Sequence, residues 1–98
     1  MSSDYYYIYI LVGENNRVMY IGVTNDLHRR LREHRNEEID GFTKRYHLHK
    51  LVYFEKYSSP KTAIKREKEL KGWTRKRKND LVTLYNPRWE DQSDSFIL

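Results

Sequence analysis

Several polar side chains stand where helical spacing calls for apolar ones. Glu67 shares a helical stripe with Ala63, Ile64 and Leu70. A carboxylate among apolar neighbours is costly unless a cation or metal meets it. At the edge of that stripe it would instead pair with Lys71 at i+4. Arg30 lies between Leu27 and Leu31, with His34 one turn later. An Arg and a His at i, i+4 can converge on a phosphate, the first as a fixed bidentate fork and the second as a titratable donor. The plainer reading is a snorkelling Arg30 and a neutral, satisfied His34. Tyr5, Tyr7 and Tyr9 share one face of an extended run, and Tyr20 lies on the next. Alternating tyrosines ordinarily pack, and proton transfer through one needs a lowered pKa, since a free phenol titrates near ~10. His47 and His49 share a face at i, i+2 but have no third ligand near in sequence, which argues against a zinc site.

The elements that must position these groups can be read in order. Tyr5 to Val12 is β-branched and aromatic, ends at Gly13-Glu14-Asn15-Asn16, and is followed by a second apolar run, Val18 to Val23. This predicts a hairpin whose first strand, apolar on both faces, is buried from both sides. Thr24-Asn25-Asp26 offers N-caps for a helix to about His34, and Asn36 to His47 reads as a loop or short helical turn. His49 to Tyr57 predicts a third strand. Ser58-Ser59-Pro60 starts a helix to about Lys71 with Gly72 as its cap, and Trp73-Thr74 opens another through about Leu84, ended by Asn86-Pro87. The order β-β-α-β-α-α predicts an α+β domain, a small, mostly antiparallel three-stranded sheet flanked by helices. Residues 1–89 form that domain, and 90–98 read as a flexible acidic tail whose Phe96-Ile97-Leu98 could dock.

Composition bounds the function. Of 98 residues, 38% are apolar and 34% charged, so the core must be thin, and no cysteine is present to staple it or to build a thiolate-zinc cluster. No apolar run reaches the roughly 20 residues of a membrane span, and the first residues lack the basic region and cleavage site of a signal peptide. The expectation is a soluble, cytoplasmic protein without a membrane partner. The net charge of +5 is unevenly spread. Residues 61–80 carry nine basic and three acidic side chains, which makes a polyanion a reasonable partner, with a solvated helix face as the bland alternative.

Together these residues resemble a known pattern. Tyr7-Ile8-Tyr9, ten residues, then Tyr20-Ile21-Gly22 is similar to the signature of the GIY-YIG nucleases. Arg30 stands at the family's helix arginine and His34 where members carry His or Tyr. Ala63 to Lys71 resembles the glutamate-bearing helix, with Glu67 at the metal-ligand position, and Asn86 resembles a late asparagine. The likeness covers about residues 5–89 and extends to small stand-alone bacterial members that resemble the N-terminal nuclease domain of the excision-repair UvrC subunit. Tyr7 replaces the glycine of the name motif, and Val23 stands where the excision-repair enzymes carry a lysine.

The resemblance implies hydrolysis of DNA phosphodiesters with one divalent cation, Mg²⁺ or Mn²⁺, held by Glu67. Tyr9, Tyr20, Arg30, His34, Glu67 and Asn86 would form the catalytic set: Arg30 on the phosphate oxygens, Tyr9 or Tyr20 as proton acceptor, His34 as relay, Asn86 steadying the glutamate helix. Arg29, Arg32, Arg35, Arg75, Lys76, Arg77 and Lys78 would contact nucleic-acid phosphates, which carry no sequence information of their own. Low sequence specificity, a structure-selective role in DNA repair or recombination, and a protein partner for targeting are expected. The alternatives are a nucleic-acid-binding module of the same fold with little or no cleavage, and an interaction protein whose basic face docks an acidic partner.

Overall fold

A computed structural model describes residues 4–94. Its elements are β1 (Tyr6–Val12), β2 (Met19–Thr24), α1 (Leu27–Arg35), α2 (Phe42–Arg45), β3 (Lys50–Tyr57), α3 (Pro60–Lys71) and α4 (Arg75–Tyr85). The strands form one antiparallel sheet in the order β2-β1-β3, so the architecture is α+β as expected. The short helix α2 falls within the stretch read as loop or helical turn. Among the described residues no helix is long and apolar enough to cross a membrane.

β1 is central, and its two faces feed two cores. Ile8, Ile10 and Val12 pack with Ile21, Val52, Leu70 and Val82 on one face. Tyr9 and Leu11 pack with Leu27, Leu31, Leu48 and Leu51 on the other. Alternation along a strand places successive side chains in different layers, which is why a β1 without polar positions is required.

Side-chain caps set the helix starts. Asp26 accepts from the backbone N–H of Arg29, Ser59 from that of Thr62 and Thr74 from that of Arg77. Each satisfies an N–H that the first turn leaves unpaired. Gly72 closes α3 with φ −82°, so its left-handed freedom is not used. The apolar stripe of α3 is rotated from the expected one. Ala63 and Leu70 are buried, but Ile64 is 44% exposed. Arg66 turns inward instead, its Nε 2.9 Å and Nη2 3.1 Å from the two oxygens of Glu55 on β3. Tyr57 donates to Glu55 at 2.5 Å and Tyr53 donates to it as well, so this half-buried carboxylate is fully engaged. Burial pushes its pKa up, but these bonds outweigh it and hold the carboxyl below its usual range.

The register of β1 with β3 shifts between Ile10 and Leu11, which pair with Tyr53 and Leu51 and leave Val52 as a bulge. A bulge leaves a backbone group without a ladder partner. The Asn86 side-chain amide donates to the Val52 carbonyl at 2.9 Å. The chain after α4 also returns to this strand. The Leu51 N–H donates to Asp91 Oδ1 (3.1 Å), the Gln92 N–H donates to the Leu51 carbonyl (2.8 Å), and Ser93 is buried. Asp91 and Gln92, in the expected tail, are thus bonded to β3. Phe96-Ile97-Leu98 lies outside the described residues.

Candidate active site

The two tyrosines of the motif stand on neighbouring strands, and α1 brings His34 between them. The Tyr9–Tyr20, Tyr9–His34 and Tyr20–His34 ring centres are 6.1, 5.7 and 5.9 Å apart. Tyr9 Oη lies 3.0 Å from His34 Nε2, and His34 Nδ1 lies 3.0 Å from Thr43 Oγ1 on α2. One ring nitrogen must donate and the other accept, so the neutral imidazole satisfies both. Its pKa is pulled down to about 4, by burial first and then by the charges of Arg30 and His49. The Tyr9 phenol is pushed above the ordinary range by burial and by Tyr20, with Arg30 pulling the other way.

Gly22 explains why the motif ends in glycine. It pairs with Tyr9 across the β1–β2 ladder. A Cβ there would stand 2.5 Å from Tyr9 Cζ and Oη and 2.8 Å from Tyr20 Cε2. The tyrosine ring therefore occupies the space that any other residue would need.

Arg30 supplies the positive charge. Its Nε lies 3.2 Å from Glu33 Oε1, but the N–H direction misses that oxygen and leaves this buried donor without a hydrogen-bond acceptor. An unfilled guanidinium donor next to a phenol is an opening for an anionic oxygen. Arg30 also borders a shallow cavity of about 270 Å³ with Val23 and Ile64, so α1 and α3 face the same depression.

Glu67 is well covered, its side chain 13% exposed, and its Oε2 lies 2.7 Å from Lys71 Nζ. The same ammonium is 6.0 Å from the Tyr20 ring centre, which links α3 to the tyrosine pair. One carboxylate with hard oxygen donors suits a cation that keeps most of its waters, as Mg²⁺ and Mn²⁺ do. The residues present therefore fit such an ion, which Glu67 would hold.

Asn86 does not join this group. It caps α4, its amide donates to the Val52 and Glu90 carbonyls (2.9 and 3.0 Å), and its Oδ1 accepts from the Glu90 N–H (3.1 Å). Its bonds hold α4 to β3, and none reaches the glutamate helix α3.

The expected phosphate-contacting residues divide by their engagement. Arg35 is 2.8 Å from Ser93 Oγ and within 3.7 and 3.9 Å of Asp91 and Asp94. Arg75 donates at 2.6 Å to each of the Asn16 and Arg17 carbonyls and at 2.8 Å to Asn79, tying α4 to the hairpin loop. Arg77 stacks 3.8 Å above the Trp73 ring, Lys76 pairs with Asp80 at 3.0 Å, and Arg29 is 3.9 Å from Glu33. Arg32 is exposed. Lys78 lines a groove of about 350 Å³ with Tyr20, Phe42, Lys71 and Arg75. Phe42, 48% exposed, adds an aromatic face that the sequence alone does not mark, nor does it mark Thr43.

The pair His47 and His49 gains a third group. His47 has φ 54° and so lies outside any strand, and Glu37 reaches both rings from the end of α1. No third ligand lies near in sequence, but Glu37, ten residues before His47, completes the group in space.

The family model of the GIY-YIG catalytic domain matches residues 5–80, which span the tyrosines, Arg30, His34 and Glu67 but stop short of Asn86. A UPF0213 protein of Haloquadratum walsbyi is 38% identical over 80 residues, 82% of this chain and 89% of that one. A UPF0213 protein of Limosilactobacillus reuteri is 36% identical over 84% of this chain and 86% of its own. The solution NMR structure of a UPF0213 protein from Bacillus halodurans superposes with a TM-score of 0.58 at 26% identity, covering 96% of this chain and 99% of the other.

Proposed function

We propose, from the premise that the chain belongs to the GIY-YIG catalytic-domain family, that it is a metal-dependent endonuclease that hydrolyses DNA with low sequence specificity. The observation that carries this reading is the buried Arg30 Nε without an acceptor, beside the Tyr9–Tyr20–His34 cluster. Arg30 would clamp the non-bridging phosphate oxygens, with a hold that tightens as charge develops in the transition state. Tyr9 is sealed at 0% exposure and bonded to His34, so it remains a protonated phenol that orients its neighbours. Tyr20 is half-buried at the groove and is the tyrosine that an attacking water can reach, which makes it the better proton acceptor. His34, neutral above its pKa of about 4, orients Tyr9 through one nitrogen and is itself held by Thr43. Glu67 would hold Mg²⁺ or Mn²⁺, whose chemistry is to polarise the phosphate and stabilise the leaving oxygen. Lys71 would then exchange its bond to Glu67 for a phosphate.

Arg32 and Lys78 are the cations best placed to contact the DNA backbone, and these contacts predict no base preference. Selectivity would come from nucleic-acid shape or a targeting partner, in a cytoplasmic repair or recombination role. A second reading, binding without cleavage, is favoured by the Glu67–Lys71 pair, which already neutralises the carboxylate. The test is incubation with linear, nicked, flapped and branched DNA and RNA counterparts under Mg²⁺, Mn²⁺ or EDTA. Arg30→Ala and Glu67→Ala should each lower cleavage by on the order of a hundredfold or more. Cleavage that survives EDTA or Glu67→Ala refutes the mechanism, and binding without cleavage in every condition selects the second reading.

A further inference from the structure

The ends of α1 and α2 meet the start of β3 at a cluster that phosphodiester hydrolysis does not use. His47 Nδ1 and His49 Nε2 lie 2.5 and 3.1 Å from the same oxygen of Glu37, and the three donor atoms are all within 4.8 Å of one another. Each comes from a different segment: the residue after the α1 cap, the residue after the α2 cap and the residue before β3.

The backbone sets this cluster apart from an ordinary surface ion pair. Glu37 follows the α1 cap Asn36 with φ 56°, and His47 follows the α2 cap Tyr46 with φ 54°. Both occupy the left-handed position just past a helix that Gly or Asn ordinarily takes, a conformation that strains a larger side chain. Four described non-glycine residues have positive φ, and two of them belong to this cluster. Glycine would close both helices with less strain, yet here the two ends carry a carboxylate and an imidazole that meet. Strain concentrated on functional groups points from the outlier to a site.

We propose that Glu37, His47 and His49 bind a divalent transition cation of the zinc class, with water in the remaining positions. Two imidazoles and one carboxylate are the donor set for such ions and do not suit Mg²⁺, which prefers oxygen ligands. Coordination replaces the two hydrogen bonds with bonds to the metal. His47 Nδ1 and His49 Nε2 present their lone pairs, and each imidazole carries its proton on the other nitrogen. The carboxylate is already ionised, held below its usual range by its bonds to His47 and His49. Metal–ligand distances of about 2.0–2.2 Å set neighbouring donors roughly 3.3–3.5 Å apart, so the His47–Glu37 and His49–Glu37 pairs, now at 2.5 and 3.1 Å, must open slightly to admit the ion. The His47 side chain, 71% exposed, has the freedom to do so. A bound ion would pin α1, which carries Arg30 and His34, to α2, which carries Thr43. This site is separate from Glu67 on α3, and its existence does not depend on nuclease activity.

The test uses tag-free protein, so that no added histidines compete. Zinc chloride at about a hundredfold above Kd should raise the unfolding midpoint on the order of 10 °C. Magnesium chloride should not act through these residues, so any magnesium-dependent shift should be the same in His47→Ala as in the unaltered protein. Cobalt chloride should develop a visible ligand-field band on binding. His47→Ala, exposed enough to fold normally, and Glu37→Gln should each weaken zinc binding at least tenfold and abolish the cobalt band. No cobalt band and no zinc-dependent shift in the unaltered protein overturn the site. Equal zinc binding in His47→Ala, His49→Ala and the unaltered protein places the ion elsewhere and overturns it too.

Discussion

Replacing Gly22 with alanine tests the packing at the motif directly. The new Cβ would lie 2.5 Å from Tyr9 Cζ and Oη and 2.8 Å from Tyr20 Cε2, about 1 Å inside ordinary contact. Tyr9 has no room to retreat, since it is fully buried and its hydroxyl is bonded to His34. Overpacking of this kind costs roughly 1–3 kcal/mol. The backbone of Gly22 is not in the left-handed region, so alanine also gains about 0.4–1 kcal/mol by narrowing the unfolded ensemble. The expected net loss is about 1–2 kcal/mol, or a midpoint lowered by roughly 5–15 °C for a domain of this size. Calorimetry on Gly22→Ala, Tyr9→Leu and the double variant forms a cycle. Leucine lacks the ring atoms that the new methyl would strike, so the double variant should be more stable than additivity predicts by about 1 kcal/mol or more. Additive losses, or a Gly22→Ala midpoint equal to that of the unaltered protein, would show that the tyrosine does not need the glycine.

Two further outcomes follow from the same network. His34 titrates at about 4 in the folded chain and near 6.5 unfolded, so the unfolded state takes up the proton first as pH falls. Its contribution is intact above about pH 6.5 and is lost progressively down to about pH 4, by at most roughly 3 kcal/mol and nearer 2 once water screening is allowed for. His34→Gln should flatten that part of the stability profile in denaturant titrations, and an unchanged slope would refute the buried neutral histidine. Asn86→Ala strands the Val52 carbonyl at the bulge and removes two bonds to Glu90, so it should cost about 2–3 kcal/mol in urea unfolding. Its DNA cleavage, measured well below the melting point, should stay within a few-fold of normal; a large loss would return Asn86 to the active site.

Local patterns in the chain were enough to place the strands and three of the helices, whereas Tyr9, Tyr20 and His34 were brought together only by the resemblance to the GIY-YIG pattern. The doubly apolar β1 could be read because a central strand leaves no position for a polar side chain. Features that depend on distant partners could not. Arg66 displaces Ile64 from the buried side of α3 only because Glu55 on another element receives it. Glu37 completes the histidine pair from ten residues away from His47, across a turn that carries no periodic signal. Asn86 resembles a family residue by position, but its partner is a bulge in β3 that alternation does not reveal. The helix α2 was legible only as one of two alternatives, a loop or a short helical turn, because its N-terminal cap Gly41 has φ 104° and offers no side-chain bond, and Phe42 is 48% exposed.

The central place of β1 has a consequence for how the molecule is made. β1 leaves the ribosome ahead of both its partners and can pair at once with β2, its hairpin neighbour, but its other edge must wait for residues 50–57. Until then Ile8, Ile10 and Val12 lack most of their eventual cover, and the open edge of β1 can pair with any extended chain nearby. Closing that distant ladder is the slow, high-separation step expected to limit folding. Loop insertions between α1 and β3 should therefore slow assembly more than they weaken the finished fold.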